Sequence, residues 1–188
     1  MPGIKLGLAN TVLLYAVYLM DWRGCVLLML AKVFLSSFMF GSMSAILYSL
    51  CGGVLSLMTM LLVKRSPRVG ALVIAVLAGL SDLMILMRNP APKGQLLWCV
   101  ILIALACIAA VAVFIVIGRN PGWAVMGTSL AGAVAHNIGQ ILAASAMLRT
   151  PQLMFTYLPV LVGIGAVVGC LTGLVAQRVF RALRVPGV

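Results

Sequence analysis

The feature that most constrains this chain is its near-continuous apolarity, interrupted at short intervals by clusters of turn-forming and basic residues. Seven apolar runs of about 17 to 27 residues can be drawn, at 4–20, 24–41, 43–63, 69–87, 96–118, 122–148 and 152–177. At 1.5 Å of rise per residue each is long enough, or nearly so, to carry a helix across roughly 30 Å of hydrocarbon. The breaks between them read Asp21-Trp22-Arg23-Gly24, Gly41-Ser42, Lys64-Arg65-Ser66-Pro67-Arg68, Asn89-Pro90-Ala91-Pro92-Lys93-Gly94, Arg119-Asn120-Pro121-Gly122 and Arg149-Thr150-Pro151. Turn formers combined with charge are what a membrane protein places between crossings. The expectation is an all-α, polytopic transmembrane bundle of about seven helices, with residues 1–188 forming one integral membrane domain.

Composition decides which chemistries remain. Charged residues make up only 8% of the chain and hydrophobic ones 64%, at a mean hydropathy of +1.25. A soluble domain carries about 25% charged residues, so too little polar surface exists here to cover one. The acidic residues are Asp21 and Asp82 and the single histidine is His136. These cannot build a paired-carboxylate glycosidase, an aspartate-rich metal–diphosphate site or a zinc site. The chain therefore reads as a recognition protein and not an enzyme, with no metal and no cofactor expected. Its five cysteines, at 25, 51, 99, 107 and 170, lie in or beside apolar runs without a CxxC pair and read as small hydrophobes.

The net charge of +11 comes from 13 Lys and Arg scattered between the apolar runs, which points to membrane orientation and away from nucleic acid. Eight of them, Arg23, Lys64, Arg65, Arg68, Arg119, Arg178, Arg181 and Arg184, fall on one side. Lys5, Arg88, Lys93 and Arg149 fall on the other. By the positive-inside rule the carboxyl end is cytoplasmic and the amino end outside, in a multi-pass membrane protein. No basic region precedes the first apolar run, so no cleavable signal peptide is expected, and an outside amino end predicts a further helix ahead of this one. Lys32, the thirteenth, lies well inside an apolar run, where an ammonium needs a cavity or a partner.

Polar residues concentrate in the sixth run. Thr128, Gly132, His136 and Gln140 recur every four residues as a polar ridge, bordered by Asn137, while Gly127, Ala131, Ala135 and Gly139 make an adjoining ridge of small residues. At mid-membrane depth, His, Asn and Gln require another helix, water or a ligand, so the ridge reads either as an interhelical network or as a pocket wall. The last run carries Gly165, Gly169 and Gly173, a flat groove for helix packing or for docking a subunit. Ser44, Tyr48, Gly52 and Ser56 form a milder ridge in the third run that helix packing explains. Near the amino end Lys5 reads as a snorkelling anchor or a site residue, and Asn10, about 7 Å deeper, needs a partner within the apolar layer. Lys5, Asn10 and Gln140 fall in the outer half of the membrane; Asp82 has Arg88 as its nearest partner in sequence.

The stretches PGIKLGLAN at 2–10, KVFLSSFMFGS at 32–42, LYSLCGGVLSLMTM at 47–60 and GTSLAGAVAHNIGQ at 127–140 resemble the bacterial Gx transporter family, also labelled heptaprenyl diphosphate synthase component I. The resemblance covers roughly 130 residues of the 188. That family is similar to the S-components of energy-coupling factor transporters, membrane proteins that capture vitamins or related small molecules and work with a shared ATPase module. The resemblance implies a capture subunit for a vitamin-, isoprenoid- or flavin-related molecule, with ATPase and coupling subunits as partners and a pocket built from Lys5, Asn10, His136, Asn137 and Gln140. Relative to the family, 69–118 reads as an added two-helix insertion, a helix before PGIK is missing, and Lys32 stands where arginine is frequent. Prenyl chain elongation needs clustered aspartates, which this chain lacks. The alternatives are an accessory membrane subunit of isoprenoid, quinone or flavin-linked electron-transfer machinery, or a scaffold without ligand.

Overall fold

The computed structural model describes residues 8–40, 43–66, 124–150 and 152–185. Every regular element among them is a helix: α1 (Leu8–Leu19), α2 (Trp22–Phe40), α3 (Met43–Arg65), α4 (Ala124–Leu148) and α5 (Gln152–Ala182). Three of these contain spans long and apolar enough to cross a membrane, Ile46–Arg65, Ala124–Leu148 and Gly163–Ala182. The protein is an integral membrane helical bundle. Of the seven expected helices, the fourth and fifth fall in 69–118, outside the described residues, as does Lys5.

Boundaries follow local chemistry. Asp21, of a type favoured just before a helix, precedes α2 and accepts the Cys25 N–H at 3.0 Å on its backbone carbonyl. α4 ends at Arg149, which takes the left-handed conformation at φ 51° that more often falls to glycine. α5 continues five residues past the expected 177. It closes in a Schellman arrangement, with Arg184 at φ 51°, its N–H on the Arg181 carbonyl at 3.2 Å, and the Val185 N–H on the Phe180 carbonyl at 3.0 Å. The fully buried Phe180 explains the extension: the arginine-rich end is still held on one side by the core.

α1 has only 12 residues, about 18 Å, and touches each of the other four described helices. Leu13, Ala16 and Val17 pack with Cys25, Met29 and Val33 of α2 and Leu57 and Met60 of α3. Leu14, on the other side of the same helix, packs with Val125 of α4 and with Ala176 and Phe180 of α5, flanked by Tyr15 and Tyr18. So short a helix is held in this way because neighbours cover its apolar residues on both sides. Its carboxyl end is tied by Lys64, whose Nζ donates to the Val17 carbonyl at 2.6 Å and lies 5.1 Å from the Tyr18 ring centre.

α4 packs between α3 and α5, and small residues set both contacts. Toward α5, a Cβ added to Gly169 would stand 3.0 Å from the Leu130 Cα, and one on Gly173 2.7 Å from the Met126 Cα. Gly165 lies against the Asn137 amide. Ser129 and Thr172 hydroxyls bridge the same seam at 3.0 Å. The Gly165, Gly169 and Gly173 groove is thus filled by α4.

Candidate functional site

The antiparallel hairpin of α1 and α2 levels two polar residues. Asn10 stands eleven residues before Asp21 and Lys32 eleven residues after it, so the turn brings them opposite one another. Lys32 Nζ donates to Asn10 Oδ1 at 3.4 Å. Asn10 is buried at 6% exposure, and Lys32 is half-buried near the middle of its helix. Asp21 lies about 16 Å away along α2 and is exposed, so the ammonium has no carboxylate partner among the described residues.

Across the bundle, α4 presents His136 at its midpoint, with Gln140 one turn further on. Both press on α3 at Gly52: a Cβ there would meet Gln140 Cγ at 2.7 Å, the His136 carbonyl oxygen at 2.8 Å and His136 Cε1 at 3.0 Å. Glycine at 52 is what lets the imidazole lie against the backbone of the neighbouring helix. A Cβ on the adjacent Gly53 would meet Met29 Sδ at 3.1 Å and Val33 Cγ2 at 3.8 Å, which places the Lys32 stretch of α2 on the same layer as α3 and α4. The imidazole Nδ1 is buried and has no hydrogen-bond partner. The hydroxyl of Ser56, one turn from Gly52 on the face of α3 that packs on α4, is likewise buried and unpartnered, and so is that of Thr11 beside Asn10. An orphaned buried polar group costs about 1–3 kcal/mol, so such atoms mark a place where a partner belongs.

Asn137 takes a different direction. Its Nδ2 donates to the Leu161 carbonyl at 2.6 Å, which gives it a packing partner on α5. Thr128, at the other end of the polar ridge, hydrogen-bonds the Tyr18 hydroxyl at 3.1 Å and its own helix at the Ala124 carbonyl at 2.8 Å. The structure therefore brings Asn10, His136 and Gln140 into one layer and adds Lys32 and Ser56 to it, while Asn137 faces α5. Lys32 was recognisable in sequence as a cation inside an apolar run. Ser56 and Thr11 gave no signal, since hydroxyls in helices usually bond back to their own backbone, as Thr59 does to the Leu55 carbonyl at 2.8 Å.

A family model described as heptaprenyl diphosphate synthase component I matches residues 1–88 and 91–179. The chain belongs to that family. The matched ranges take in the described helices nearly whole and most of 69–118. Within this heptaprenyl diphosphate synthase component I protein, both halves of the polar layer, Asn10 with Lys32 and Gly52 on one side and His136 with Gln140 on the other, fall in matched sequence. No curated protein and no solved structure matches the chain.

Proposed function

We propose that the protein is a membrane subunit that captures a small molecule in the layer between α1, α2, α3 and α4, with Asn10, His136 and Gln140 as ligand contacts and Lys5 at the outer approach. The observation that carries this reading is the buried, unpartnered Nδ1 of His136, at the midpoint of the most polar helix and level with a buried Asn–Lys pair. A network built for packing alone satisfies its own members, as Asn137 and Ser129 do on the other face of α4. The likeness of the sequence motifs to S-components of energy-coupling factor transporters supports a vitamin-, isoprenoid- or flavin-related substrate and, as partners, ATPase and coupling membrane subunits in a bacterial inner membrane. The chain itself supplies no ATP-binding motif.

The family name favours a second reading, an accessory membrane component that works beside a prenyl-diphosphate synthase and has no catalysis of its own. Thermal unfolding of the purified protein across a panel of vitamins, flavins and isoprenoid precursors tests the first reading. A ligand at 100 times its dissociation constant adds about 2.7 kcal/mol of stability, a readily visible shift. A flat response across the panel, together with co-purification of a prenyl synthase, would replace capture with the accessory role.

A further inference from the structure

We infer that the molecule held in this layer carries an anionic group, a carboxylate or phosphate, and that Lys32 is the charge that receives it, oriented by its hydrogen bond from Nζ to Asn10 Oδ1. The inference rests on the capture reading above and names its ligand class. The cation lies near the middle of α2, whose Met29 and Val33 pack on Gly53 next to the Gly52–His136 contact, and a charge at that depth with no carboxylate beside it among the described residues is costly enough to mark function. The group that faces it, the Asn10 amide oxygen, is a neutral dipole and not a counter-charge. Asp21, the acidic residue among those described, is exposed at the far end of the helix. Asn10 Oδ1 can hold one ammonium proton, which leaves others for a ligand oxygen. The orphaned Ser56 hydroxyl and His136 nitrogen add further polar contacts on the opposite wall. An anion thus supplies the counter-charge that a neutral ligand cannot, together with acceptors for the remaining ammonium protons and the Ser56 hydroxyl.

The anionic group has two available sources, a small molecule from the aqueous side or the headgroup of an acidic phospholipid. The test uses the full chain in an uncharged detergent, with thermal unfolding at constant ionic strength against sodium chloride. Sodium phosphate, sodium diphosphate and sodium benzoate form one arm; phosphatidylglycerol against phosphatidylcholine in mixed micelles forms the other. At least one anion raises the unfolding temperature of the wild type and of Lys32→Arg, while in Lys32→Met its apparent affinity falls about tenfold or more. A shift with the soluble salts assigns the group to a small molecule, and a shift with phosphatidylglycerol alone assigns it to a lipid headgroup. Lys32→Met removes a buried charge but leaves the Asn10 amide oxygen without its donor, so Lys32→Gln, which keeps a donor and carries no charge, is measured beside it and shows the same loss of affinity. No gain from any anion, or an equal gain in Lys32→Met, overturns the inference. A neutral compound that stabilises both wild type and Lys32→Met but not His136→Ala would overturn the anionic class and leave capture standing.

Discussion

Gly52 of α3 and Gly139 of α4 meet backbone to backbone: a Cβ built on Gly139 would lie 2.9 Å from the Gly52 Cα and 2.9 Å from the Cys51 carbonyl oxygen. Neither neighbour can rotate away, because both are main chain. Gly139→Ala and Gly52→Ala therefore force α3 and α4 apart, at about 1–3 kcal/mol each, and open the layer that holds His136. Gly163→Ala is the control, since nothing stands within 4 Å of its added methyl and alanine is the better helix former. Unfolding temperatures in detergent should rank Gly163→Ala at or above wild type and the other two well below. Equal behaviour of all three would mean that α3 and α4 are not in close contact.

Replacing His136 or Gln140 by alanine separates a pocket from a packing network. If the layer binds a ligand, each change weakens binding by about 1–3 kcal/mol through lost contacts. The loss of stability is confined to the imidazole's contact with the Gly52 backbone, because the His136 Nδ1 has no internal partner to lose. Titration calorimetry with the compound found in the thermal panel measures the first quantity and detergent melting the second. Variants that bind normally but melt early would assign the ridge to packing.

Asn137 predicts the opposite pattern. Its 2.6 Å bond to the Leu161 carbonyl joins α4 to α5, and interhelical bonds of this kind in membranes average about 0.6 kcal/mol. Asn137→Ala should lower stability by that order and leave ligand affinity within about twofold. A large loss of affinity would show that the amide turns into the layer.

The Lys64 ammonium caps the end of α1 at the Val17 carbonyl and covers the Tyr18 ring. Lys64→Met should cost roughly 0.5–1 kcal/mol, the usual size of a cation at a helix carboxyl end or over an aromatic ring, and Lys64→Arg should recover part of it. Limited proteolysis at the α1–α2 turn would report the loosened helix directly.

Sidedness is read most simply from the two ends of α5. In a variant whose native cysteines are replaced, a cysteine at Arg149 should label in intact cells with an impermeant maleimide, and one at Arg184 only after permeabilisation. Labelling of both from the same side would reverse or break the expected topology.

The five described helices were legible in sequence, because a bilayer demands long apolar runs and the breaks at Asp21 and Arg149 announce themselves by charge and turn chemistry. Which neighbour each face of α4 meets was not legible. Four-residue spacing groups Thr128, Gly132, His136 and Gln140 on one face, but only the three-dimensional packing shows that this face meets α3 and that Asn137, one residue from His136, belongs to α5. The apolar run ends at 177, where Arg178 and Arg181 have the look of a loop, but the helix continues to Ala182 because Phe180 between them is fully buried. The pairing of Asn10 with Lys32 lay hidden in plain arithmetic. Their equal distances from Asp21 make them neighbours in any antiparallel hairpin, yet nothing in the residues themselves says that the two runs form one.

Because Gly165, Gly169 and Gly173 are pressed onto α4, α5 has one side that cannot change and one that can. Ile164, Val167, Leu171 and Val175 all point outward at 45–62% exposure, and nothing among the described residues depends on their shape. Substitutions along this stripe have only to remain apolar to be tolerated by lipid. The helix is thus divided lengthwise into a fixed record of the fold and a surface open to drift, and any subunit that came to recognise this protein through α5 would have to read the half whose lettering the fold leaves unwritten.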